Sequence, residues 1–486
     1  MKKLALIFTL VCIGYWAPAK SLNALFSYTT FDSPENKPYI ETYLSVKGSS
    51  LNYLKIDENK FQGAIEVIIL FKQNEEIISY DKYEVKSPVV TDTGQINYNI
   101  LDQQRYALKN GSYNFEIWLS DQNSSKKPFV HTEVVNISYP EDEVSVSGIE
   151  LLASYKKSDE QNMYTKNGFE LMPLVSNYYP KTSNELIFYT EVYNTDQVFG
   201  ENGKFLIDYY IESFETAKKI TDYQVIRRQD AGMVVPLIGK FDIEFLPSGN
   251  YKLVVEARNR ENELVAINKV FFQRSNPDVQ FDVSDLAAIN IQNTFVEKIS
   301  SKDTLSEYIK CLAPISSEIE RQFANKQLFE SDLATMQQFF LNFWLTRDNL
   351  DPYSAWLDYY TEVRKVDNAY ATQVKEGYET DRGRVYLKYG PPNIVSESYN
   401  EPSAYPYEIW HYYVLGNQRN KKFVFMSQDI VTNDFELIHS DAIGELSNYR
   451  WQVLLHRRDF DPTNVDITAP PDAWGNQAEK YYTEPF

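Results

Sequence analysis

Cysteine is almost missing from this chain: 486 residues carry two, Cys12 and Cys311. Cys12 falls inside an N-terminal stretch that reads as a removable leader, so the remaining protein holds one thiol and an internal disulfide is excluded. Cys311 sits in "YIKCLAPI", on an apolar helix face with no nearby histidine, the setting of a buried inert side chain. Histidine is equally scarce. His131, His411, His439 and His456 share no spacing that would put two ligands on one helix face, so neither a zinc site nor any other metal or cofactor is expected. No Gly-x-Ser-x-Gly elbow is present to strain a serine nucleophile. Basic charge is also short, 48 Lys and Arg against 68 Asp and Glu, for a net charge of -20. Such a field repels phosphate backbones, which excludes nucleic acid as a partner. Finally, no apolar run is long enough for a membrane helix.

What the chain has in excess is aromatic. It carries 37 Tyr, 28 Phe and 7 Trp, 15% of all residues. Tyrosine suits pleated, half-buried surfaces and argues for much sheet, and it equally suits adhesive binding faces. The length implies several domains at roughly 100 to 200 residues each. Lys2 and Lys3, an apolar run from Leu4 to Ile13 and the small-x-small triplet Ala17-Pro18-Ala19 read as a secretory signal over residues 1–19. The protein is therefore expected to be exported and then soluble or peripherally held. Thr9-Leu10-Val11 before Cys12 lacks the small residue of a lipoprotein site, so lipidation there is not expected.

Residues 20–145 alternate short apolar strands with polar turns: "YIETYLSV", "AIEVIILF", "YNFEIWL" and "HTEVVNISY". Residues 146–276 repeat the theme with "ELIFYTEVYN", "KFLIDYYIESF" and "YKLVVEAR". Both stretches predict antiparallel, immunoglobulin-like β-sandwiches. "LKNGSYNFEIWL" from Leu108 echoes "LPSGNYKLVVEA" from Leu246, and places Tyr113 and Tyr251 where such sandwiches put a corner tyrosine. From residue 277 to 486 the pattern predicts an α+β domain, helices first and a small antiparallel sheet after. "DTLSEYIKCLA" opens with Asp303 as N-cap. "SDLATMQQFFLNFWLTRD" sets Leu333, Met336, Phe339, Phe340, Phe343 and Trp344 on one stripe, and Asp351-Pro352 starts a further helix bearing Trp356, Tyr359, Tyr360 and Val363.

The densest motif is "EGYETDRGRVYLKYGPP", from Glu376 to Pro392. It parses as a left-handed cap at Gly377, Thr380 and Asp381 bonding nearby amides, a turn at Gly383, a strand over "RVYLKY" and a stop at Gly390-Pro391-Pro392. A phosphate cradle would need converging glycines with a lysine and a helix next, and the spacing is wrong for that. Carboxylate pairs occur at Asp348 with Asp351 and at Asp459 with Asp461, without the full oxygen-rich loop of a calcium site.

"FWLTRD" at Phe343 to Asp348, "GYETDRGRVYLKYGPP" and "YPYEIWHYY" occur in the order of the GWxTD domain family of secreted bacterial proteins, found especially in Bacteroidetes, which this chain resembles. Tyr378 stands where the motif has tryptophan, keeping an aromatic plate and adding a hydroxyl. The resemblance implies a compartment, expected to be the periplasm or the outer membrane, and a fold, and no established activity. It makes Phe343, Trp344, Arg347, Asp348, Gly377, Thr380, Gly383, Gly390, Pro391 and Pro392 structural, and leaves Tyr378, Asp381, Arg382, Arg384 and His411 as candidate binding residues. The function expected is a non-enzymatic envelope component that binds protein partners. A glycan-binding module and a carboxylate-dependent hydrolase stand as alternatives. The tail "DAWGNQAEKYYTEPF" either docks on its own domain or serves as a partner's handle.

Overall fold

The computed structural model describes residues 22–33, 38–74, 76–279, 289–416, 418–429, 431–448, 450–456 and 476–483. The leader with Cys12, the pair Asp459 and Asp461, and the tail residues Trp474 and Phe486 lie outside the described residues. By compactness the chain forms two units. One holds Leu44–Asp102 and Ser112–Asn136 with the residues up to Phe26, and the other holds Ser27–Tyr43, Gln103–Gly111 and everything from Ile137 on.

In the first unit a four-stranded sheet runs in the order Glu76–Lys86, Ala64–Gln73, Gly111–Asp121, Phe129–Ile137. Strict alternation sends Ile65, Val67, Ile69 and Phe71 inward, where they are buried with Phe115, Ile117 and Leu119. The strands Ala24–Phe31, Tyr39–Lys47 and Asn99–Ala107 make a separate three-stranded sheet. Phe26 stacks on Phe115 at 5.1 Å within the first unit.

The second unit opens with a true sandwich. Glu185–Tyr193 is the hub of one sheet, pairing with Ser145–Val146, Glu150–Lys157 and Val234–Asp242. The other runs Tyr178–Tyr179, Leu264–Arg274, Gly249–Arg258, Lys204–Ser213, Lys219–Asp230. Phe188 and Phe241 from the first meet Tyr209 from the second edge-on at 5.3 and 5.4 Å. The Tyr251 hydroxyl donates to the Pro247 carbonyl at 3.0 Å, a bond that closes the turn before its own strand as a corner tyrosine does. One pairing departs from the antiparallel expectation: Tyr178–Tyr179 joins Leu264–Arg274 in parallel.

Helices then take over, at Lys302–Lys310, Glu318–Lys326, Leu333–Arg347 and Pro352–Tyr370. Asp351 caps the last as its sequence predicts, and Asp332 caps the one before it. The first is capped by Ser301, whose side chain accepts from Thr304 N, and not by Asp303, which is left in the first turn. The predicted aromatic stripe is core: Met336, Phe339, Phe340, Phe343 and Trp344 are buried with Trp356 and Val363. A four-stranded antiparallel sheet, Ile394–Ser398, Tyr407–Leu415, Gln418–Met426, Glu436–Ser440, closes the fold. Within the tail, residues 476–483 dock on their own domain. The helix Ala478–Thr483 lays Tyr482 against Trp451 at 5.1 Å and His439 at 5.6 Å.

The clearest departure lies in the signature itself. Asp381–Tyr389 is an α-helix, not a strand. Thr380 is its N-cap, Asp381 lies in the first turn and Gly390, at φ 83°, ends it, which are ordinary helix boundaries. The alternation of Val385 and Leu387 with Tyr386 and Lys388 imitated a strand because this helix is buried on two sides. Val385 enters the core of the sheet and Leu387 the core of the helices.

Candidate functional site: the signature joint

Two of the three glycines of the signature, Gly377 and Gly383, do not have the roles their sequence suggests. Gly377 begins a 3-10 turn, Gly377–Glu379, and Gly383 lies inside the helix. Both are contact points between backbones. A Cβ on Gly377 would lie 2.5 Å from Asp367 Cα, and one on Gly383 would overlap the Gly377 carbonyl oxygen and lie 2.7 Å from Val366 Cγ1. The turn, the capped helix and Pro352–Tyr370 thus meet at a distance that only hydrogen allows. Thr380 seals the contact: its hydroxyl donates to Gly377 O at 2.7 Å and accepts from Gly383 N at 3.1 Å.

The charged residues bind the helix to the sheet. Asp381 Oδ2 accepts from Leu437 N at 2.8 Å. Arg382 is buried, donates to Glu408 Oε1 at 2.6 Å and to the Asn433 carbonyl at 2.8 Å, and lies 4.2 Å over the Phe435 ring. Glu408 is further held by Tyr399 and by the Trp410 indole. Arg384 reaches Glu445 at 2.9 Å, joined there by Lys388 at 2.8 Å and by the Tyr389 hydroxyl at 2.7 Å. Burial works to raise the Glu445 pKa, but Lys388 and Arg384 outweigh it and hold the carboxyl at about 2. Such a group stays ionised throughout the physiological range and is not poised to act as acid or base.

The candidate binding residues therefore do not form one constellation. Arg382 is consumed internally, and Tyr378 packs half-buried on the helical core. His411 is separated from them by the pleat, since Glu408, Trp410 and Tyr412 face the signature helix while His411 points the other way. It is buried, its rings contacts include Tyr413 at 5.2 Å, and burial lowers its pKa. The other motif block behaves alike. Arg347 clasps Glu320 at 3.0 Å and covers the Phe343 ring, while Asp348 accepts from Leu350 N and Asp351 N. The pair Asp348 and Asp351 is thus spent on a turn and a cap. The Cys311 thiol donates to Tyr308 O at 3.1 Å, and burial pushes its pKa up, away from reactivity.

A polar pocket of about 110 Å³ opens beside the joint, lined by Glu215, Asn250, Ser316, Arg321, Arg384, Lys388 and Glu445. Sequence reasoning missed it, because its walls come from positions more than 200 residues apart. Its cations already have anions: Arg384 and Lys388 share Glu445, and Arg321 holds Glu318 at 2.7 Å. Burial raises the pKa of Glu215, which accepts from Asn250 at 3.1 Å.

Residues 285–452, which contain this joint, match the family model of the GWxTD domain. That stretch is a GWxTD domain. Its signature spells that domain's motif with tyrosine in place of tryptophan, and the geometry above shows what the motif letters do in this GWxTD domain: contact glycines, a capping threonine and a first-turn aspartate. Other likenesses are local. A 77-residue stretch is 36% identical to the T-cell immunomodulatory protein homolog of Plasmodium falciparum (isolate 3D7), covering 16% of this chain and only 10% of that protein. Among solved structures, the fibronectin(III)-like modules of Clostridium thermocellum CbhA align at 10% identity over 50% of this chain and 89% of theirs, with a TM-score of 0.16. A glycosyl hydrolase family 2 member from Bacteroides cellulosilyticus aligns at 8% identity over 48% of this chain and 26% of its own, with a TM-score of 0.19.

Proposed function

We propose that this protein is a non-enzymatic, exported envelope component that works by binding other proteins. The observation that carries the reading is the outer face of the four-stranded sheet in the first unit. Register places Leu70 opposite Tyr80 and Ile68 opposite Trp118, all on the side away from that sheet's core. Tyr80, on one edge strand, is 55% exposed, and Val130 and Val134, on the opposite edge strand beside that of Trp118, are 42% and 47% exposed. The charges among them cancel in place, Lys82 with Glu66 at 2.9 Å and Lys72 with Glu116 at 2.5 Å. An apolar aromatic face whose own charges are paired is the composition of a protein interface core. The signature supports the same reading from the other side, because its residues are engaged in holding the fold.

The test is capture of the tagged full chain from its own cell envelope after fractionation, comparing wild type with Tyr80→Glu and Ile68→Lys variants of unchanged circular dichroism. A stoichiometric partner lost from both variants is the expected result. A wild type recovered alone from the envelope, or one retained on glycan resin through Tyr80 and Trp118, overturns it and in the second case favours the glycan-binding alternative.

A further inference from the structure

Lys166 is a lysine that barely reaches water, its side chain 8% exposed. Its ammonium lies 3.3 Å from the centre of the Phe31 ring, 5.4 Å from Tyr189 and 5.9 Å from Tyr39. Two buried carboxylates flank it inside this aromatic cage, Glu41 at 3.1 Å and Glu150 at 3.6 Å. The two are not equivalent. Glu41 is fully served: Arg105 donates at 2.5 Å and the Tyr43 hydroxyl at 2.7 Å, besides Lys166. Glu150 is 2% exposed, and among the described residues neither of its oxygens has a hydrogen-bond partner. The nearby Glu191 does not compete for Lys166, because it is occupied by Tyr189, Tyr193 and Asn167.

The cage joins separate parts of the chain. Phe31, Tyr39, Glu41 and Tyr43 come from the segment Ser27–Tyr43, Arg105 from Gln103–Gly111, and Glu150, Lys166, Tyr189 and Glu191 from the second sandwich, all within the second compact unit. Gln103 and Arg105 add donations to the Met163 carbonyl, each at 3.1 Å.

We propose that this cage is a proton-controlled latch: Glu150 occupies it as the neutral acid while Phe31 and Tyr39–Tyr43 are docked, and its ionisation loosens the docking. An ionised Glu150 would be a buried charge with a half share of one ammonium at 3.6 Å and of the Tyr43 hydroxyl, which already donates to Glu41, an arrangement whose desolvation cost exceeds its Coulombic gain. Burial accordingly raises the Glu150 pKa, with Lys166 opposing and Glu41 adding, from the ordinary 4.5 to about 7. For Glu41 burial also acts upward, but Lys166 and Arg105 outweigh it and the pKa is lowered. The signs differ in consequence. The docked state keeps a proton on Glu150 that the released state loses, so docking weakens as pH rises from 4.5 to about 7 and is level above. The Glu41 contribution is present above its ordinary 4.5 and is lost only as pH falls below it.

Hydrogen exchange of the full chain, corrected for intrinsic rate and read on peptides covering residues 38–43 and 163–168, tests the latch. The opening equilibrium in wild type is expected to grow with pH, by up to about tenfold per unit for a single linked proton, and then to level off near neutrality. Glu150→Gln, of the same shape and unable to ionise, is expected to hold those peptides closed throughout the range above Glu41's ordinary 4.5. Parallel pH profiles in wild type and Glu150→Gln overturn the proposal. An infrared difference spectrum supplies a second measurement: a protonated-carboxyl carbonyl band at mildly acidic pH, absent from Glu150→Gln, supports it, and the lack of that band in wild type overturns it.

Discussion

Glu445 in the GWxTD domain and Glu150 in the preceding sandwich are both buried carboxylates beside a lysine, yet they are held in opposite ways. Glu445 receives an arginine, a lysine at 2.8 Å and a tyrosine hydroxyl, and sits at about 2. Glu150 has a shared lysine at 3.6 Å and sits at about 7. Burial is common to both, so the difference is the number of donors that reach the oxygens. The comparison separates two uses of a buried acid. A fully served carboxylate is a rivet, charged and insensitive to physiological pH, whereas an underserved one titrates where cells live.

Removing the scaffold of the rivet should have the largest effect. Gly383→Ala drives a methyl into the Gly377 carbonyl, and backbone cannot yield as a side-chain tip can. A loss of about 4 kcal/mol or more is expected in denaturant unfolding of the GWxTD domain. Breaking the rivet itself comes next. Glu445→Gln leaves Lys388 without its anion and Arg384 with Asp381 at 3.6 Å, for an expected loss of about 3 kcal/mol. Because the Glu445 pKa is depressed, its contribution is complete above the ordinary 4.5 and fades as pH falls toward 2. Acid titration of stability should therefore show that loss in wild type and not in Glu445→Gln. The smallest effect is expected at the motif's variant letter. Tyr378→Trp restores the family residue on a half-buried plate and should change stability by less than about 1 kcal/mol. A larger gain would mean that the indole has a role in the joint that tyrosine does not fill.

Much of the fold was legible before any coordinates. Period-two strands, turn knots, the aromatic helical stripe and the Asp351-Pro352 cap all describe local patterning, and their elements stand where the pattern put them. The signature was misread because its helix touches two cores at once, so its apolar positions alternate instead of following a single face. Its cap, first-turn acid and terminal glycine were the better signals. Gly377 and Gly383 were read as conformational glycines, although neither has a positive φ. Their purpose is proximity to other backbone, a property that no residue carries in its own neighbourhood.

The amino-acid pattern alone determined the order of sheet, helix and sheet, the burial of the aromatic stripe and the family of the C-terminal domain, because these depend on neighbours a few positions apart. Which carboxylates are served and which are left short was decided only by the tertiary structure. Glu41 meets Lys166 across 125 positions and Arg384 meets Glu445 across 61. A charge's ionisation is set by the donors and the water around it, and both are assembled by folding.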